Sequence, residues 1–321
     1  MLNLITENAE QVTKDMREQW LDPQNIPPWR RPTSDPQSLL SILQETVPSS
    51  RGSTFIMPPT TEHSPFKTGY AAINAALLLR RPLLVKGPPG IGKSSLAYFL
   101  AHKLQLGTPL VWPINSRSTL QDGLYFYDAV GHLSSIKADV AKTVIQDFIH
   151  LQALGEALLP WKAPRVLLID ELDKASYDLP NDLLHVLEEG HFDIPEYRRT
   201  DSTYTEDDQI KRHLTDLKGH VQMHHPPILV ITSNGERDFS EAFRRRCIVV
   251  EFGRHDEKEM KRVIQAHFQH TTIDFDDRTI KALLQSELPT DAMLNAFFIA
   301  HSEAMSNDVD FAATLIKWLE R

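Results

Sequence analysis

Five short runs of apolar residues divide the chain, and each has the length of a buried strand. The runs contain almost no polar positions, as strands covered on both faces by helices require. Between several of them, apolar residues recur every three to four positions, which is the spacing of one helix face. This alternation predicts a parallel α/β sheet. The five predicted strands are Leu83–Val85, Pro109–Ile114, Val166–Ile169, Ile228–Ile231 and Ile248–Phe252.

The helical spacing is clearest beside these strands and at the end of the chain. Helices are predicted at Thr68–Leu79, Ser95–Leu104 and Pro180–Glu189. Beyond Gly253 no strand pattern remains, and four apolar stripes predict a small all-α lid domain. The stripes include Met260, Val263, Ile264, His267 and Phe268; Ile280, Leu283 and Leu284; Met293, Leu294, Phe297 and Phe298; and Phe311, Leu315, Ile316 and Leu319.

Three segments fit the alternation less well. Residues 1–60 contain Trp20, Trp29 and several prolines, so they form neither a long helix nor a central strand. An extended strap with its tryptophans docked on the core and a partly disordered arm remain equal alternatives. Residues 116–160 read as long, polar and mostly helical. The predicted domains are therefore an arm at 1–60, an α/β core at 61–253 and a lid at 254–321.

Residues 191–227 form an insertion that is rich in charge and histidine. Its polarity and its basic positions predict a segment outside the hydrophobic core that serves partner engagement. Its histidines lack the close Cys/His spacing of a structural zinc site, which favours a solvated loop. They are His213, His220, His224 and His225.

Composition places the chain among ordinary globular proteins. Its 321 residues carry a formal net charge of −9, which argues against a general nucleic-acid coat. A single cysteine, Cys247, rules out an internal disulfide framework and suits a reducing cytosol. The first residues lack the pattern of a signal peptide, and no apolar run is long enough to span a bilayer. We expect a cytoplasmic protein without a membrane segment.

A phosphate-binding loop follows the first predicted strand. Residues 87–94 read GPPGIGKS and match G-x-x-x-x-G-K-[ST] at every fixed position. A strand, a glycine-rich turn and a helix in this order direct backbone N–H groups at one point, which suits a polyphosphate. Lys93 is expected to reach the β- and γ-phosphates, and the Ser94 hydroxyl to ligate Mg²⁺. The predicted nucleotide contacts are Gly87, Pro88, Pro89, Gly90, Ile91, Gly92, Lys93, Ser94 and Ser95.

Polar residues end two later strands and add candidate chemistry. Asp170 and Glu171 follow the third strand, where the first can hold Mg²⁺ and the second can polarise a water for attack on the γ-phosphate. Asn234 follows the fourth strand and can orient that water if the two strands are neighbours. An Asn–Gly turn explains Asn234 equally well.

Three consecutive arginines, Arg244, Arg245 and Arg246, precede the fifth strand. Adjacent arginines are usually a solvated face. The alternative is an arginine that enters a neighbouring subunit's site and stabilises transition-state charge. Spacing alone does not decide between them.

Four segments in order, GPPGIGKS, VLLIDELDKAS, ITSN and AFRRRC, resemble the AAA+ ATPases, specifically the MoxR-like group. The resemblance covers about residues 55–304. It implies that the first two segments are Walker A and Walker B and that Asn234 is sensor 1. It implies that Arg246, with Arg245 as the alternative, is a finger acting in trans. One departure concerns sensor 2, because Pro289 is followed by Thr290 and Asp291 where many relatives have an arginine.

The resemblance also implies an architecture and partners. MoxR-like ATPases are oligomeric, usually hexameric, chaperone-like machines that commonly act with a von Willebrand A domain protein. A β-hairpin before the sensor 1 strand would place residues 191–227 near a central pore. The leading hypothesis is therefore an ATP-hydrolysing remodeller of a protein partner, with ATP and Mg²⁺ as ligands. A slowly hydrolysing signalling switch, in a bacterial conflict or defence system, is the alternative. A nucleic-acid motor is a third, disfavoured by the acidic charge.

Overall fold

The structure is a computed structural model, and it describes residues 4–7, 11–31, 39–41, 50–137, 144–199, 208–268 and 288–300. Two of the predicted lid stripes, those around Ile280 and Phe311, lie outside the described residues. Part of the 191–227 insertion and most of the proline-rich segment after Arg31 do so as well.

A five-stranded parallel sheet forms the centre, as predicted. Its strands are β1 (Leu83–Lys86), β2 (Leu110–Pro113), β5 (Val166–Asp170), β8 (Ile228–Ser233) and β9 (Ile248–Glu251). They lie in the order β2-β5-β8-β1-β9, and every neighbouring pair runs parallel. Ile169 of β5 pairs with Ile231 of β8, so the residues that follow these two strands share one edge of the sheet.

Helices cover both faces of this sheet. Apolar side chains from alternate strand positions divide between two buried clusters, one with Leu84, Leu167 and Ile231 and the other with Val85, Leu168 and Val230. The helices are α1 (Lys14–Leu21), α2 (Ser50–Ser53), α3 (Gly69–Leu79), α4 (Ser95–Leu104), α5 (Leu120–Leu124), α6 (Ala129–Lys137), α7 (Ala153–Ala157), α8 (Leu179–Glu189), α9 (Gln209–Asp216), α10 (Glu241–Arg246), α11 (Glu257–His267) and α12 (Thr290–Ala300).

Two antiparallel hairpins interrupt the alternation. The first pairs β3 (Tyr125–Tyr127) with β4 (Ile149–Leu151), so the expectation of a mostly helical segment over 116–160 was wrong for these residues. The second pairs β6 (His191–Asp193) with β7 (His220–Gln222) and is the hairpin that the resemblance implied.

The prediction that the 191–227 insertion lies outside the core was wrong. Five of its apolar side chains are buried in the main cluster: Phe192, Ile194, Tyr197, Leu214 and Val221. Two of its histidines, His213 and His225, are buried rather than solvated. The reason is amphipathicity, because charged positions on α9 and β7 alternate with apolar ones that pack inward.

The two segments that contain the hairpins also contact each other. The Tyr125 hydroxyl donates to Glu196 Oε2 at 3.1 Å, and the Lys211 ammonium donates to Asp147 Oδ1 at 2.8 Å. Tyr125 lies in β3 and Asp147 lies between β3 and β4. Their partners, Glu196 and Lys211, lie between β6 and β7. The hairpins are therefore held together on one side of the core.

The described part of the N-terminal arm is packed on the core, but it is not the extended strap of the first alternative, because Trp20 lies in helix α1. Trp20 is 1% exposed, and its indole N–H donates to Leu77 O at 3.1 Å. The Arg80 guanidinium lies over the indole ring at 3.9 Å from its centroid. The Leu4 N–H donates to Asn74 Oδ1 at 2.8 Å. The side chain of Trp29 lies outside the described part.

The described lid residues form a separate small cluster. Side chains of α11 and α12 pack against one another, with Met260, Ile264 and Phe297 at its centre. This agrees with the predicted all-α lid. Among the residues described, no helix combines the length and apolarity needed to cross a bilayer.

Candidate functional site

The predicted phosphate loop connects β1 to α4. Gly90 and Gly92 have φ angles of +72° and +94°, conformations that side chains with a Cβ rarely adopt. These angles turn the chain tightly enough for α4 to begin directly after the loop. The loop and the N-terminus of α4 therefore form the anion-binding arrangement that the sequence predicts.

Lys93 lies inside the loop rather than on the surface. It is 6% exposed, and its ammonium donates to the carbonyl oxygens of Gly87 and Pro88, each at 2.8 Å. Burial lowers the pKa of Lys93, while the charges of Asp170, Asp173 and Glu171 act in the opposite direction. The loop thus holds a positive charge where a polyphosphate would lie.

Asp170 joins the phosphate loop to the neighbouring strand end. Its Oδ1 atom accepts a hydrogen bond from the Ser94 hydroxyl at 2.6 Å. The same oxygen accepts a second bond from the Thr232 hydroxyl, also at 2.6 Å. The two predicted Mg²⁺ ligands, Ser94 and Asp170, are therefore in direct contact. Hydroxyl and carboxylate oxygens in contact at the phosphate loop fit the oxygen ligands that Mg²⁺ prefers.

Glu171 has an unusual backbone conformation. Its φ of 62° and ψ of 46° lie in the left-handed region, which costs a residue with a Cβ about 1–3 kcal/mol. Its N–H donates to the Thr232 hydroxyl oxygen at 2.8 Å. Thr232, which is fully buried, therefore fixes both members of the acidic pair.

Both carboxylate oxygens of Glu171 have hydrogen-bond partners. Oε1 accepts from the Asn234 side-chain amide at 3.1 Å, and Oε2 accepts from the Lys174 ammonium at 2.7 Å. The structure thus brings Asn234 to Glu171, as expected for neighbouring strands. Asp173 supports this contact, because its Oδ2 accepts from the backbone N–H groups of Asn234 and Glu236 at 2.9 and 3.1 Å.

Three residues of this network were missed from the sequence: Thr232, Asp173 and Lys174. Each stands within two or three residues of a predicted site residue. The sequence could have indicated them only through their positions just before or after the ends of β5 and β8. That these two strands are neighbours is known only from the sheet order.

A cavity of about 620 Å³ is lined by most of the predicted site residues, but not by Gly87 and Pro88. Its walls include Lys93, Ser94, Asp170, Glu171 and Asn234, together with the loop residues Pro89 to Ser95. Gly87 and Pro88 contribute the carbonyls that hold Lys93. A cavity of this size with mixed polar and apolar walls is typical of a small-molecule site.

The cavity lining also includes apolar side chains, namely Phe55, Ile56, Val263 and Leu294. Val263 and Leu294 belong to the predicted lid stripes, but none of the four was predicted as a site residue. His255 lies in the same lining with its side chain 3% exposed, and burial lowers its pKa to about 4. Its imidazole is therefore neutral near pH 7.

The described C-terminal helical residues contact the phosphate loop. A Cβ atom on Gly90 would collide with the Pro289 side chain and would lie 3.0 Å from Asp291 Oδ1. Three residues of α12 line the cavity, namely Thr290, Asp291 and Leu294. The described start of α12 thus presents a carboxylate and a hydroxyl, rather than an arginine, to the site.

The arginine cluster lies away from this cavity in the same chain. Arg246 Nε donates to Glu188 Oε1 at 2.6 Å, and Arg245 pairs with Glu241 in the preceding turn. Arg244, Arg245 and Arg246 are exposed. The described chain therefore does not bring Arg245 or Arg246 to its own Glu171, and the trans role of either arginine stays a prediction.

A parallel sheet whose β1 leads through GPPGIGKS into a helix, with carboxylates at the end of an adjacent strand, defines a nucleotide-binding protein of the P-loop class. A family model for the AAA domain, dynein-related subfamily, matches residues 82–247, which is more than half of the chain. The chain belongs to this AAA family. A comparison with curated proteins found no match.

A comparison with solved structures found matches of low identity. The RuvB Holliday junction branch migration motor of Thermotoga maritima is 17% identical over 78% of this chain and 66% of that chain, with a TM-score of 0.41. NtrX of Brucella abortus in complex with ATP is 13% identical over 75% of this chain and 51% of that chain, with a TM-score of 0.40. The NtrX complex with ADP is 14% identical over 75% and 49%, with a TM-score of 0.43. The chain thus spans about two thirds of RuvB and about half of NtrX.

Proposed function

We propose that this protein binds ATP together with Mg²⁺ and hydrolyses the bond between the β- and γ-phosphates, which releases ADP and phosphate. The observation that carries the proposal is the convergence of Lys93, Ser94, Asp170, Glu171 and Asn234 on one cavity. These residues come from the phosphate loop and from the ends of β5 and β8. Membership of the AAA family supports the same activity.

Each residue has a distinct role in the proposed reaction. Lys93 and the backbone N–H groups of the loop bind the β- and γ-phosphates and hold their charge. Glu171 takes the proton of the attacking water, and Asn234 orients Glu171 and that water. Orientation of this kind removes a large part of the activation barrier, because the water must approach in line with the leaving group.

The Ser94 hydroxyl and the Asp170 carboxylate would hold the metal ion. When bound with ATP, Mg²⁺ neutralises charge on the phosphate oxygens. Thr232 keeps Asp170 oriented through its hydrogen bond to Oδ1. The apolar lining residues of the cavity, Phe55, Ile56, Val263 and Leu294, suit a nucleobase.

The energy of hydrolysis is proposed to remodel a protein partner in the cytoplasm. The motif set resembles the MoxR-like group, and this supports a homo-oligomeric, hexameric ring in which Arg246 acts on the neighbouring subunit's site. The same resemblance supports a von Willebrand A domain protein as the client. We assign the arm (1–60), the core (61–253) and the lid (254–321) as its working parts, with the joined hairpins as the surface that engages the partner.

A slowly hydrolysing signalling switch is the second candidate. One observation favours it, namely that both carboxylate oxygens of Glu171 already have partners in this structure. An enzyme whose base is held in this way hydrolyses ATP slowly until the hydrogen-bond partners of that base change. Turnover measured with and without a candidate partner separates a switch from a continuously working remodeller.

Two variants test the proposed activity. Lys93→Ala should abolish tight ATP binding in isothermal titration calorimetry, because it removes the buried ammonium of the phosphate loop. Glu171→Gln should bind ATP yet hydrolyse it about 10²–10⁴ times more slowly. Lys67→Ala, at an exposed lysine, is the matched control and should behave as wild type. Unchanged ATP affinity in Lys93→Ala would overturn the proposal.

A further inference from the structure

Lys174 has no role in the proposed chemistry, yet it contacts the proposed base directly. It closes a short 3₁₀ turn, Leu172–Lys174, that begins immediately after Glu171. Its ammonium donates to Glu171 Oε2 at 2.7 Å, and each of the two side chains is 39% exposed. The pair thus lies at the open side of the site, where solvent reaches it.

The backbone of Glu171 makes this contact possible. Its left-handed conformation begins the turn, and the Lys174 N–H donates to the Glu171 carbonyl oxygen at 3.0 Å. The turn therefore returns the lysine side chain over the carboxylate three residues earlier. Since Thr232 holds the Glu171 N–H, the turn and the strand end are fixed together.

The charges around the pair keep Lys174 protonated. Its pKa is raised first by the hydrogen bond to Glu171 and then by the Glu171 charge, with smaller contributions from Glu236 and Asp173. Lys93 also interacts with the Glu171 charge, and Asp170 precedes Glu171 in the chain. Lys174 is therefore protonated near pH 7, and it does not compete with Glu171 for the water's proton.

We propose that Lys174 is a positioning residue that holds Glu171 in a resting arrangement and so keeps basal ATP hydrolysis low. The proposal rests on the proposed function, in which Glu171 is the general base. The ammonium occupies Oε2 and the Asn234 amide occupies Oε1, so neither carboxylate oxygen is free to accept the water's proton in this arrangement. Separation of the ammonium from Oε2 frees that oxygen.

The energetics suit a reversible restraint. Exposed ion pairs of this kind are weak because water and salt compete for both partners. The restraint can therefore be released by a modest change at the surface of the site, without unfolding of the turn. It follows that the effect on turnover should be several-fold rather than many orders of magnitude.

The test compares Lys174→Met with wild type in steady-state ATP hydrolysis by the full chain with Mg²⁺ at low salt. Methionine keeps an unbranched side chain but removes the charge. We expect kcat to rise roughly five-fold, or about 1 kcal/mol at 1.36 kcal/mol per factor of ten, with KM nearly unchanged. Lys174→Arg restores the cation and should return kcat toward the wild-type value.

Two further measurements show whether the effect acts through Glu171. In a Glu171→Gln background, Lys174→Met should leave the residual rate unchanged, because a neutral amide has no ion pair to lose. Raising salt should increase wild-type kcat toward that of Lys174→Met, since screening weakens the pair. The salt experiment on wild type needs no variant, so the proposal stays testable if a substitution impairs folding.

The outcomes separate this proposal from the one it rests on. A wild-type protein that does not hydrolyse ATP contradicts the proposed function. An active wild type with an equal or lower kcat in Lys174→Met contradicts the restraint alone. A rise in rate that persists in the Glu171→Gln background also overturns it, because the lysine then acts on another group.

Discussion

The buried Thr232 hydroxyl donates a 2.6 Å hydrogen bond to Asp170 Oδ1 across two neighbouring strands. The same hydroxyl accepts from the N–H of Glu171 at 2.8 Å. One side chain therefore orients the proposed metal-binding carboxylate and fixes the strained backbone of the proposed base. Neither Asp170 nor Glu171 would be held at this end of β5 as firmly without it.

We predict that Thr232→Val lowers turnover and raises the Mg²⁺ concentration needed for half-maximal turnover. Valine has nearly the same shape but removes both hydrogen bonds, and loss of such a supporting contact typically costs about 10–100-fold in metal affinity or activity. Thr232→Ser keeps the hydroxyl and is the matched control. A Mg²⁺ titration of ATP hydrolysis measures the effect. Wild-type kinetics in the valine variant would show that Asp170 needs no such support.

The second prediction concerns the insertion between β6 and β7. Leu214 is 2% exposed and belongs to the main core cluster, whereas Leu217, three residues later, is 44% exposed. Leu214→Ala should lower the free energy of unfolding by about 2–5 kcal/mol, since it leaves a cavity. Leu217→Ala should change it by less than about 0.5 kcal/mol. Urea denaturation of both variants decides the matter, and equal effects would mean that the insertion does not pack into the core.

The sheet was predictable because its strands are continuous apolar runs, and the phosphate loop because its fixed positions are consecutive in the chain. The β3–β4 hairpin was not. Its strands have three residues each and lie more than twenty residues apart, so no periodicity marks them. The burial of Phe192 and Val221 was missed for a related reason, because single apolar residues among charges give a weak pattern.

The site divides in the same way. Lys93, Ser94, Asp170 and Glu171 were identified from local motifs, and the structure brings them to one cavity. Lys174 pairs with Glu171 because a left-handed residue begins the turn, and no glycine marks that conformation in the sequence. The apolar part of the cavity lining is built from segments about 240 residues apart, such as Phe55 and Leu294, which only the lid's position brings together.

The third prediction is a loss of stability in mild acid. Burial, together with the nearby charges of His224 and Arg80, lowers the pKa of His225 to about 4. Between this value and the unfolded value of about 6.5, the unfolded chain binds a proton that the folded chain does not. The free energy of unfolding should therefore fall as pH falls through this window. From pH 7 to pH 5 the contribution of one such histidine is about 2 kcal/mol.

His225→Gln should remove that share of the pH dependence, measured as the difference in unfolding free energy between pH 7 and pH 5. His255 has a pKa lowered to about 4 as well, so part of the dependence should persist. His63→Gln, at an exposed histidine, is the control and should leave the difference unchanged. A pH dependence that is the same in His225→Gln and wild type would show that His225 is protonated equally in both states.

The last prediction asks whether the site is shared between subunits. In one chain the Arg246 side chain contacts Glu188 rather than the cavity, so it is exposed and available to a neighbour. If Arg246 acts in trans, Arg246→Ala should lower turnover by roughly 10³-fold or more, and Glu171→Gln should also inactivate every site of a homo-oligomer.

Mixing these two variants should restore activity. An Arg246→Ala subunit still provides Lys93, Asp170 and Glu171, and a Glu171→Gln neighbour still provides Arg246. With random one-to-one mixing in a ring, about one interface in four combines them in the productive order. Hydrolysis by the mixture should therefore rise well above that of either variant alone. An absence of recovery, after native mass measurement has confirmed mixed rings, would contradict a site shared through Arg246. Repeating the mixture with Arg245→Ala in place of Arg246→Ala shows which arginine completes the neighbour's site. Only the variant that lacks this arginine depends on the Glu171→Gln subunit to supply it.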